Sequence, residues 1–394
     1  MEYKVTAPEY KRRTDLVLDS MKEKGLDAFI FWSTTSVLYL TGFAFIATER
    51  PIGLVLGKEG RKTIFVPRLE VEHAGGIPQI DEVKHYDEYP GPKHPMTIFA
   101  EVLEGMGLAQ ATIGSDAAGY GSSWGYSGPR LAEVLPKAKI VIDSDLVPNL
   151  RVIKSEEEIL LIRESAKWGN LAHTLLQKYS IPGRTENEIS MRASMEATMA
   201  MIQTLGGTYS PLGGRGASAG FRGQIGPNSA LPHAITINAV LKPGDVLVTG
   251  AGASMAGYGS ELERTMFVGE PDAEKRSYFD HMMALMEIAF EHMKPGNKCS
   301  DVDNACRAYY EKHNLWKHWR HHTGHSLGML GHEAPFLDSG DDTVLKPGMV
   351  FSIEPGLYVP GLGGFRHSDT VVITETGMDF ITYYPRQLSD LICG

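Results

Sequence analysis

The sequence reads LKPGDVL at residues 241–247 and LKPGMVF at residues 345–351, so a Pro-Gly turn leads twice into an apolar strand. A second matched pair, IPGRT at residues 181–185 and KPGNK at residues 294–298, lies upstream, and each member precedes a helix-start signal. The offsets of the two pairs are similar but unequal, which fits one insertion. We therefore predict an internal duplication of a helix-plus-hairpin unit, with the carboxylate-bearing strands of both copies around one cleft.

The composition limits the classes of function. The 394 residues are 42% hydrophobic, which suffices for two packed domains. The formal net charge of −10 at pH 7 disfavours nucleic acid and anionic membranes as partners, but it does not identify a substrate. The three cysteines lack metal or disulfide spacing, the N-terminus lacks the apolar core of a signal peptide, and no apolar stretch is long enough for a membrane span. We therefore expect a cytoplasmic protein.

Two domains are expected, spanning residues 1–150 and 151–394. The first alternates helices and strands, which predicts an α/β domain with a mixed sheet. Its clearest elements are a helix over 8–25 and strands over 28–32, 52–56 and 63–66. The second domain opens with SEEE at residues 155–158, a capping box in which Ser155 is the N-cap, so a long helix begins there.

Histidines and carboxylates recur between residues 230 and 369. They lie in the motifs LPH at 231–233, GSELERT at 259–265, HHTGH at 321–325, GHEAP at 331–335, IEPG at 353–356 and GFRHSD at 364–369. Such groups are costly to bury on apolar segments unless they are paired or functional, so we expect the site here. The glycine-rich residues 206–226 lack the strand–GxGxxG–helix context of a phosphate cradle, which favours a flexible or substrate-lining loop.

Arg50, which precedes Pro51 in the N-terminal domain, has two interpretations. One is a solvated arginine before a turn, as most arginines are exposed. The other is an anion clamp, because a guanidinium grips a carboxylate through two parallel hydrogen bonds.

With these motifs in this order, the chain resembles the creatinase/prolidase family, whose fold is called the pita-bread fold. The resemblance covers nearly the whole chain and includes RVIKS at residues 151–155, which is similar to the start of the family's domain-junction helix. It implies an α/β N-terminal domain, followed by an α+β pita-bread C-terminal domain with a pseudo-twofold internal repeat.

The peptidases that the chain resembles hold two metal ions with Asp, Asp, His, Glu and Glu. Matched one at a time, these positions fall on Gly250, Glu261, His325, Glu354 and Ser368. Glycine has no side chain to offer, and a serine hydroxyl is a poor ligand for a divalent cation. The resemblance therefore implies a degenerate two-metal site and no cofactor, with a single ion on the three remaining ligands as an open alternative.

The metal-free branch, creatinase, offers a second set of matches. Its catalytic histidine corresponds to His233, its two glutamates to Glu263 and Glu354, and its carboxylate-gripping arginine to Arg50. The resemblance implies that His233 activates water and protonates the leaving nitrogen, and that the two glutamates hold a cationic or amidine-like group. In creatinase the partner subunit lends the arginine, which implies a homodimer here. Thr48 stands where creatinase has an aromatic residue, so creatine itself is not implied as the substrate.

Three further residues are expected to bind substrate, namely His325, His332 and Glu261. The leading hypothesis is a metal-independent, creatinase-like hydrolase of a small amidino or amide substrate that bears a carboxylate. The alternatives are an Xaa-Pro dipeptidase with a reduced metal site, which the HEAP motif favours, and a non-catalytic binding relative. Structural interpretations also stay open, since Glu263 and Glu354 would be satisfied by ion pairs with Arg264 or Arg366, and His233 by a backbone hydrogen bond.

Overall fold

The computed structural model describes residues 3–121, 125–214 and 216–394. Residues 5–151 form one compact unit, and residues 152–394, together with residues 3 and 4, form the other. In these described ranges, no helix combines the length and the apolar character that crossing a membrane requires.

The N-terminal unit is built on a mixed sheet of buried apolar strands. Its helices are α1 (Ala7–Glu23), α2 (Thr34–Thr41), α3 (Val71–Gly75), α4 (Pro95–Gly105), α5 (Leu131–Val134) and α6 (Leu146–Leu150). Its strands are β1 (Ala28–Phe31), β2 (Gly53–Gly57), β3 (Lys62–Pro67), β4 (Glu82–Tyr86), β5 (Thr112–Ser115) and β6 (Lys139–Ile142), in the order β4-β3-β2-β1-β5-β6. Strand β1 is central and every residue in it is buried, which explains why its sequence is apolar throughout rather than alternating.

The C-terminal unit surrounds a larger sheet with four long helices. These are α7 (Glu156–Tyr179), α8 (Glu186–Leu205), α9 (Ala273–His292) and α10 (Cys299–Lys312). Its strands are β7 (Ala217–Gly220), β8 (Val246–Val248), β9 (Gly250–Ala253), β10 (Leu262–Glu263), β11 (Thr265–Val268), β12 (Gly324–Ser326), β13 (Glu333–Leu337), β14 (Val350–Ile353), β15 (Gly356–Val359), β16 (Gly363–Arg366), β17 (Ser368–Ile373), β18 (Met378–Phe380) and β19 (Ile392–Cys393). The main sheet follows β13-β12-β14-β17-β10-β9-β7, with β18 beside β17.

The two copies of the repeated sequence make equivalent backbone contacts. In the first, the Leu241 amide donates to the Arg184 carbonyl over 2.9 Å, just before α8 begins. In the second, the Leu345 amide donates to the Asn297 carbonyl over 2.8 Å, just before α10 begins. Each copy thus ties the start of a helix to the start of a Pro-Gly turn, as the internal duplication predicts.

The long helix α7 begins where the capping box predicts. The Ser155 hydroxyl accepts from the Glu158 amide, and the Glu158 carboxylate accepts from the Ser155 amide over 2.8 Å. The helix then packs closely on β9, since a Cβ placed on Gly169 would lie 2.9 Å from the Cα of Gly252. A glycine on each side permits this approach, which fixes the strand that lines one wall of the cleft.

The glycines of the two Pro-Gly turns provide a matched test of the duplication. Gly244 and Gly348 have φ angles of +87° and +86°, which side chains disfavour. A Cβ on Gly244 would meet no atom within 4 Å, whereas a Cβ on Gly348 would lie 3.1 Å from both the Ile153 side chain and the Lys154 carbonyl. We expect Gly244→Ala to lower the free energy of unfolding by about 1–2 kcal/mol and Gly348→Ala to lower it further. Urea unfolding measures both, and equal losses would contradict the steric difference.

Candidate active site

Neighbouring strands of the main sheet bring the ionisable residues together. Glu261 precedes β10, His325 lies in β12, and Glu354 follows β14, while the register pairs Leu262 with Asp369 and His325 with Ser352. Donor atoms of Glu261, His325 and His332 all lie within 4.8 Å of one another. The same holds for donor atoms of Glu261, Glu263 and Glu354. Residues far apart in sequence therefore form one compact cluster.

Glu261 is oriented by two buried serines. Its Oε1 accepts from the Ser352 hydroxyl over 2.6 Å and from the Ser368 hydroxyl over 2.9 Å. Both serines are fully buried, whereas the Glu261 side chain is about one quarter exposed. No hydrogen bond among the described residues uses its Oε2. Ser368 thus acts as a support for a neighbouring carboxylate, with the second oxygen of Glu261 left for another partner.

His325 carries a buried nitrogen that faces two carboxylates. Its Nδ1 lies 3.1 Å from the Ser326 carbonyl, so Nδ1 is the protonated donor and Nε2 holds the lone pair of the neutral ring. Nε2 is buried and makes no hydrogen bond among the described residues, although it lies 3.3 Å from Glu354 and 3.9 Å from Glu261. Burial would lower the pKa of His325, but these two carboxylates raise it to about 9. The local potential therefore favours a cation at Nε2.

A second part of the cluster is a buried ion pair. The Arg366 guanidinium donates to both oxygens of Glu263, over 2.5 Å and 2.8 Å, and to the Tyr358 hydroxyl over 2.9 Å. Arg222 donates to Glu263 as well, over 3.0 Å. Burial raises the pKa of Glu263 to about 7 despite these partners. Burial would also raise the pKa of Glu354, but the neighbouring His325 and the charge of Arg366 lower it.

These contacts decide which interpretation of the glutamates applies. Glu263 is held by Arg366, as the ion-pair alternative proposed, while Arg264 pairs with Asp369 instead, over 2.9 Å. Glu354 lies 3.6 Å from Arg366, which leaves its oxygen beside His325 free of that guanidinium. Glu263 is therefore part of the structural support, and Glu354 belongs to the group of potential ligands.

The donor set fits one divalent cation. Nε2 of His325 lies 3.3 Å from Glu354 and 3.9 Å from Glu261, with His332 beside them, and a metal ion there would replace the proton that the two carboxylates favour at Nε2. The set does not supply the five ligands of a two-metal centre. A Cβ on Gly250 would meet only Glu263, at 3.6 Å, so nothing replaces the missing carboxylate there, and both oxygens of Glu263 are occupied by guanidinium groups.

His332 is the exposed member of the cluster. Its ring stacks on that of His325, with 3.7 Å between centroids and an angle of 18°. Burial and the nearby His325 together lower the pKa of His332. A neutral, accessible imidazole therefore lies against the group of potential ligands, at a place where a bound substrate can contact it.

A cavity of about 560 Å³ opens beside the cluster. Glu261 and Glu263 lie in its lining, together with Arg222, Tyr258 and the small residues of β7 and β9. The glycine-rich stretch from 206 to 226 thus contributes to a cavity wall, in agreement with a substrate-lining segment, although its Arg215 lies outside the described residues. The volume is enough for a ligand of a few residues.

Two predicted site residues, His233 and Arg50, are not assigned to the cluster. His233 is exposed, and no hydrogen bond, ion pair or ring contact in the described ranges joins it to the cluster. Arg50 belongs to the N-terminal unit, where it pairs with Glu88 over 2.7 Å and with Glu49. The catalytic role of His233, the anion clamp at Arg50 and the homodimer that would share it stay predictions.

The sequence reasoning missed Arg222, Ser352 and Tyr358. Ser352 carries a detectable signal, because it lies in β14 two residues before Glu354, a spacing that places both side chains on one face of an extended segment. Arg222 has no such sequence signal, since its backbone φ of +52° is one that a non-glycine residue rarely adopts.

Comparisons with known proteins agree with this architecture. Residues 161–375 match the model of metallopeptidase family M24, and residues 13–153 match the creatinase/prolidase N-terminal domain. A probable dipeptidase PepE of Mycobacterium bovis is 29% identical over 97% of this chain and 96% of its own, and an Xaa-Pro dipeptidase of Pyrococcus horikoshii is 29% identical over 94% and 97%. A solved prolidase from Thermococcus sibiricus superimposes with a TM-score of 0.82 at 26% identity, over 98% of this chain and 99% of that one.

The chain therefore belongs to metallopeptidase family M24, has the pita-bread fold, and is a hydrolase. Two expectations from the sequence are wrong. The metal-independent, creatinase-like hydrolase is contradicted by relatives that are dipeptidases along the full chain. The absence of a cofactor is contradicted by membership of a metallopeptidase family and by the candidate metal-binding groups around Glu261, where His325, His332 and Glu354 supply donors although Gly250 and Ser368 do not.

The pair of Glu263 and Arg366 allows a test of the support around the cluster. Both side chains are buried, so Arg366→Met leaves Glu263 without its main partner and should lower the free energy of unfolding by about 3–5 kcal/mol. The double variant Glu263→Met/Arg366→Met removes both charges and should cost less than Arg366→Met alone. Chemical denaturation of the four proteins of this cycle measures the coupling. Simply additive losses would show that the two side chains do not depend on each other.

Proposed function

We propose that this M24 family member is a metal-dependent peptidase of the Xaa-Pro dipeptidase kind, which cleaves short peptides ending in proline. One observation carries the proposal, namely that Glu261, which lines a cavity of about 560 Å³, belongs to two groups of converging donors, one with His325 and His332 and the other with Glu263 and Glu354. Relatives that bear the names dipeptidase and Xaa-Pro dipeptidase along nearly the whole chain support it. The HEAP motif at residues 331–335, already a peptidase-like feature of the sequence, supplies His332.

Some residues of the cluster would be ligands of the cation, and others orient those ligands. A divalent cation in such a group polarises a substrate carbonyl and makes its bound water more acidic. Glu261, His325 and Glu354 would hold it, because their donors converge and Glu354 stays ionised across the neutral range. Ser352 and Ser368 fix one oxygen of Glu261, so its other oxygen is directed without rearrangement.

His332 is suited to contact the substrate. Its pKa is lowered, so the ring is neutral near pH 7 and offers one nitrogen as a donor and the other as an acceptor. Its stacking on His325 keeps the ring against the group that holds the cation. A positioned histidine of this type can orient a scissile amide or pass a proton to the leaving nitrogen.

The proposal is tested by metal content and turnover together. Purified protein is analysed for divalent metal, and hydrolysis of Ala-Pro is followed before and after treatment with a chelator. We expect one ion per chain, loss of turnover on chelation and recovery when Mn²⁺, Co²⁺ or Zn²⁺ is restored. Turnover of Ala-Pro that survives complete removal of metal, or a stoichiometrically loaded protein that cleaves no Xaa-Pro dipeptide, would contradict it.

Two histidine variants separate the roles within the same experiment. His325→Ala should abolish both metal binding and turnover, since its Nε2 would be a ligand of the ion. His332→Ala should keep the ion and lower kcat by about 10²-fold or more, as expected for loss of a general acid or base. The exposed His313 gives a matched control, because it stacks on Tyr309 outside the cluster and should change neither quantity. Loss of metal in His332→Ala would reassign that residue as a ligand.

A further inference from the structure

Arg222 and Arg366 share the carboxylate of Glu263, so these three side chains together carry one net positive charge, while the nearby Glu261 and Glu354 would be balanced by the proposed divalent cation. Glu263 accepts from Arg366 through both oxygens and from Arg222 through one. One negative charge thus faces two guanidinium groups. The remaining positive charge would attract a second anionic group, and that group could bind if one guanidinium still has free N–H donors.

Every nitrogen of the Arg366 guanidinium donates a hydrogen bond within the protein. Its Nε and Nη2 donate to Glu263, its Nη1 donates to the Tyr358 hydroxyl, and its side chain is buried. Arg222 differs on both points. Its side chain is 55% exposed, and among the described residues its only hydrogen bonds run from Nη2, to Glu263 and at 3.4 Å to Gln224. Its Nε and Nη1 are therefore available to a ligand in the cavity.

The backbone directs Arg222 toward the cavity. Its φ of +52° is unfavourable for a residue with a side chain, and the buried Phe221 and Gly223, at φ +76°, lie on either side of it. Among the described residues that line the cavity, Arg222 is the one cation. A strained residue that still has unoccupied donor atoms at a cavity is a candidate for ligand binding rather than for stability.

The distances suit a short peptide. Arg222 contacts Glu263 at 3.0 Å, and Glu263 lies within 4.8 Å of the donor atoms of Glu261 and Glu354. Residues of an extended chain are spaced by about 3.5 Å, so the terminal carboxylate of a dipeptide lies about one residue beyond its peptide bond. A dipeptide whose peptide bond lies at the group that would hold the cation can therefore direct its terminal carboxylate toward Arg222.

We propose that Arg222 is the specificity-determining residue that binds the terminal carboxylate of the substrate, through the guanidinium nitrogens that Glu263 leaves free. The proposal rests on the proposed peptidase function for the identity of the substrate. Arg222 would then make the enzyme prefer dipeptides with a free terminal carboxylate over peptides whose C-terminus is blocked. This residue lies outside the motifs identified in the sequence.

The experiment compares wild type with Arg222→Ala, Arg222→Lys and the control Arg192→Ala. Arg192 is also 55% exposed and also pairs with a glutamate, Glu196, at 3.1 Å, but it lies on α8 outside the cavity lining. The substrates are Ala-Pro and its C-terminal amide. We expect Arg222→Ala to raise KM for Ala-Pro by about 10- to 100-fold with little change in kcat, and to leave the amide unaffected. Arg222→Lys should fall between, and Arg192→Ala should match wild type.

Binding of L-proline and L-prolinamide, followed by calorimetry, tests the carboxylate site without requiring turnover. Wild type should prefer proline, and Arg222→Ala should lose that preference. If Ala-Pro is not cleaved but this pattern holds, the proposed function fails and the carboxylate site stands. If Ala-Pro is cleaved with the same KM by wild type and by Arg222→Ala, the function stands and the role of Arg222 is overturned. Equal binding of acid and amide by wild type would overturn it as well.

Discussion

The arrangement of the site depends on one buried arginine, Arg264. The side chain is fully buried, and its guanidinium donates to Asp369 over 2.9 Å. Its other donors reach the carbonyls of Glu263, Ser368, Tyr384 and Pro385. All five donors of a guanidinium are thus satisfied, which an arginine requires when it is removed from water. The contact locks β10 against β17 in a single register.

That register determines which side chains face the cluster. Because side chains alternate along a strand, a shift of one residue would turn Glu263 and Ser368 to the opposite face of the sheet. Glu261 precedes β10 and accepts hydrogen bonds from the hydroxyls of Ser368 on the adjacent β17 and of Ser352 on β14, the next strand of the sheet. The carboxylate is therefore oriented by the sheet before any ligand arrives, and such preorganisation costs nothing at the moment of binding.

Charge balance supports the proposed cation site although two of the expected ligand positions hold Gly250 and Ser368. Arg366 neutralises Glu263, so the charges left without a fixed partner are those of Glu261 and Glu354. Two carboxylates and a neutral imidazole match one divalent cation. The replacement of two carboxylate positions by Gly250 and Ser368 reduces the negative charge further, which fits a centre of one ion rather than two.

Local features of the fold could be read from the sequence. The capping box at Ser155 and the repeated Pro-Gly turns depend on neighbouring residues, and the structure contains both. The candidate ligands Glu261, His325 and Glu354 also followed from motif positions. What failed was the conclusion from missing ligands. A metal site is decided by the donors that converge in space, and neither the exposed His332 nor the free nitrogen of His325 could be weighed from spacing alone.

The same reasoning explains why Arg222 was missed. Its contact with Glu263 joins residues 41 positions apart through an uncommon backbone conformation, and no periodicity predicts such a pairing. Glu263, by contrast, was found by its motif and given a substrate-binding role, while the structure surrounds it with arginines. Sequence patterns locate carboxylates, but only the fold shows which of them are already neutralised.

The most direct test is anomalous diffraction from crystals of the protein loaded with Mn²⁺ or Zn²⁺. We expect one peak per chain, at about 2.0–2.2 Å from Glu261 Oε2, His325 Nε2 and an oxygen of Glu354, with Arg366 still bound to Glu263. Two peaks bridged by carboxylates, or no peak near His325 at saturating metal, would contradict the single-cation centre on which the proposed chemistry depends.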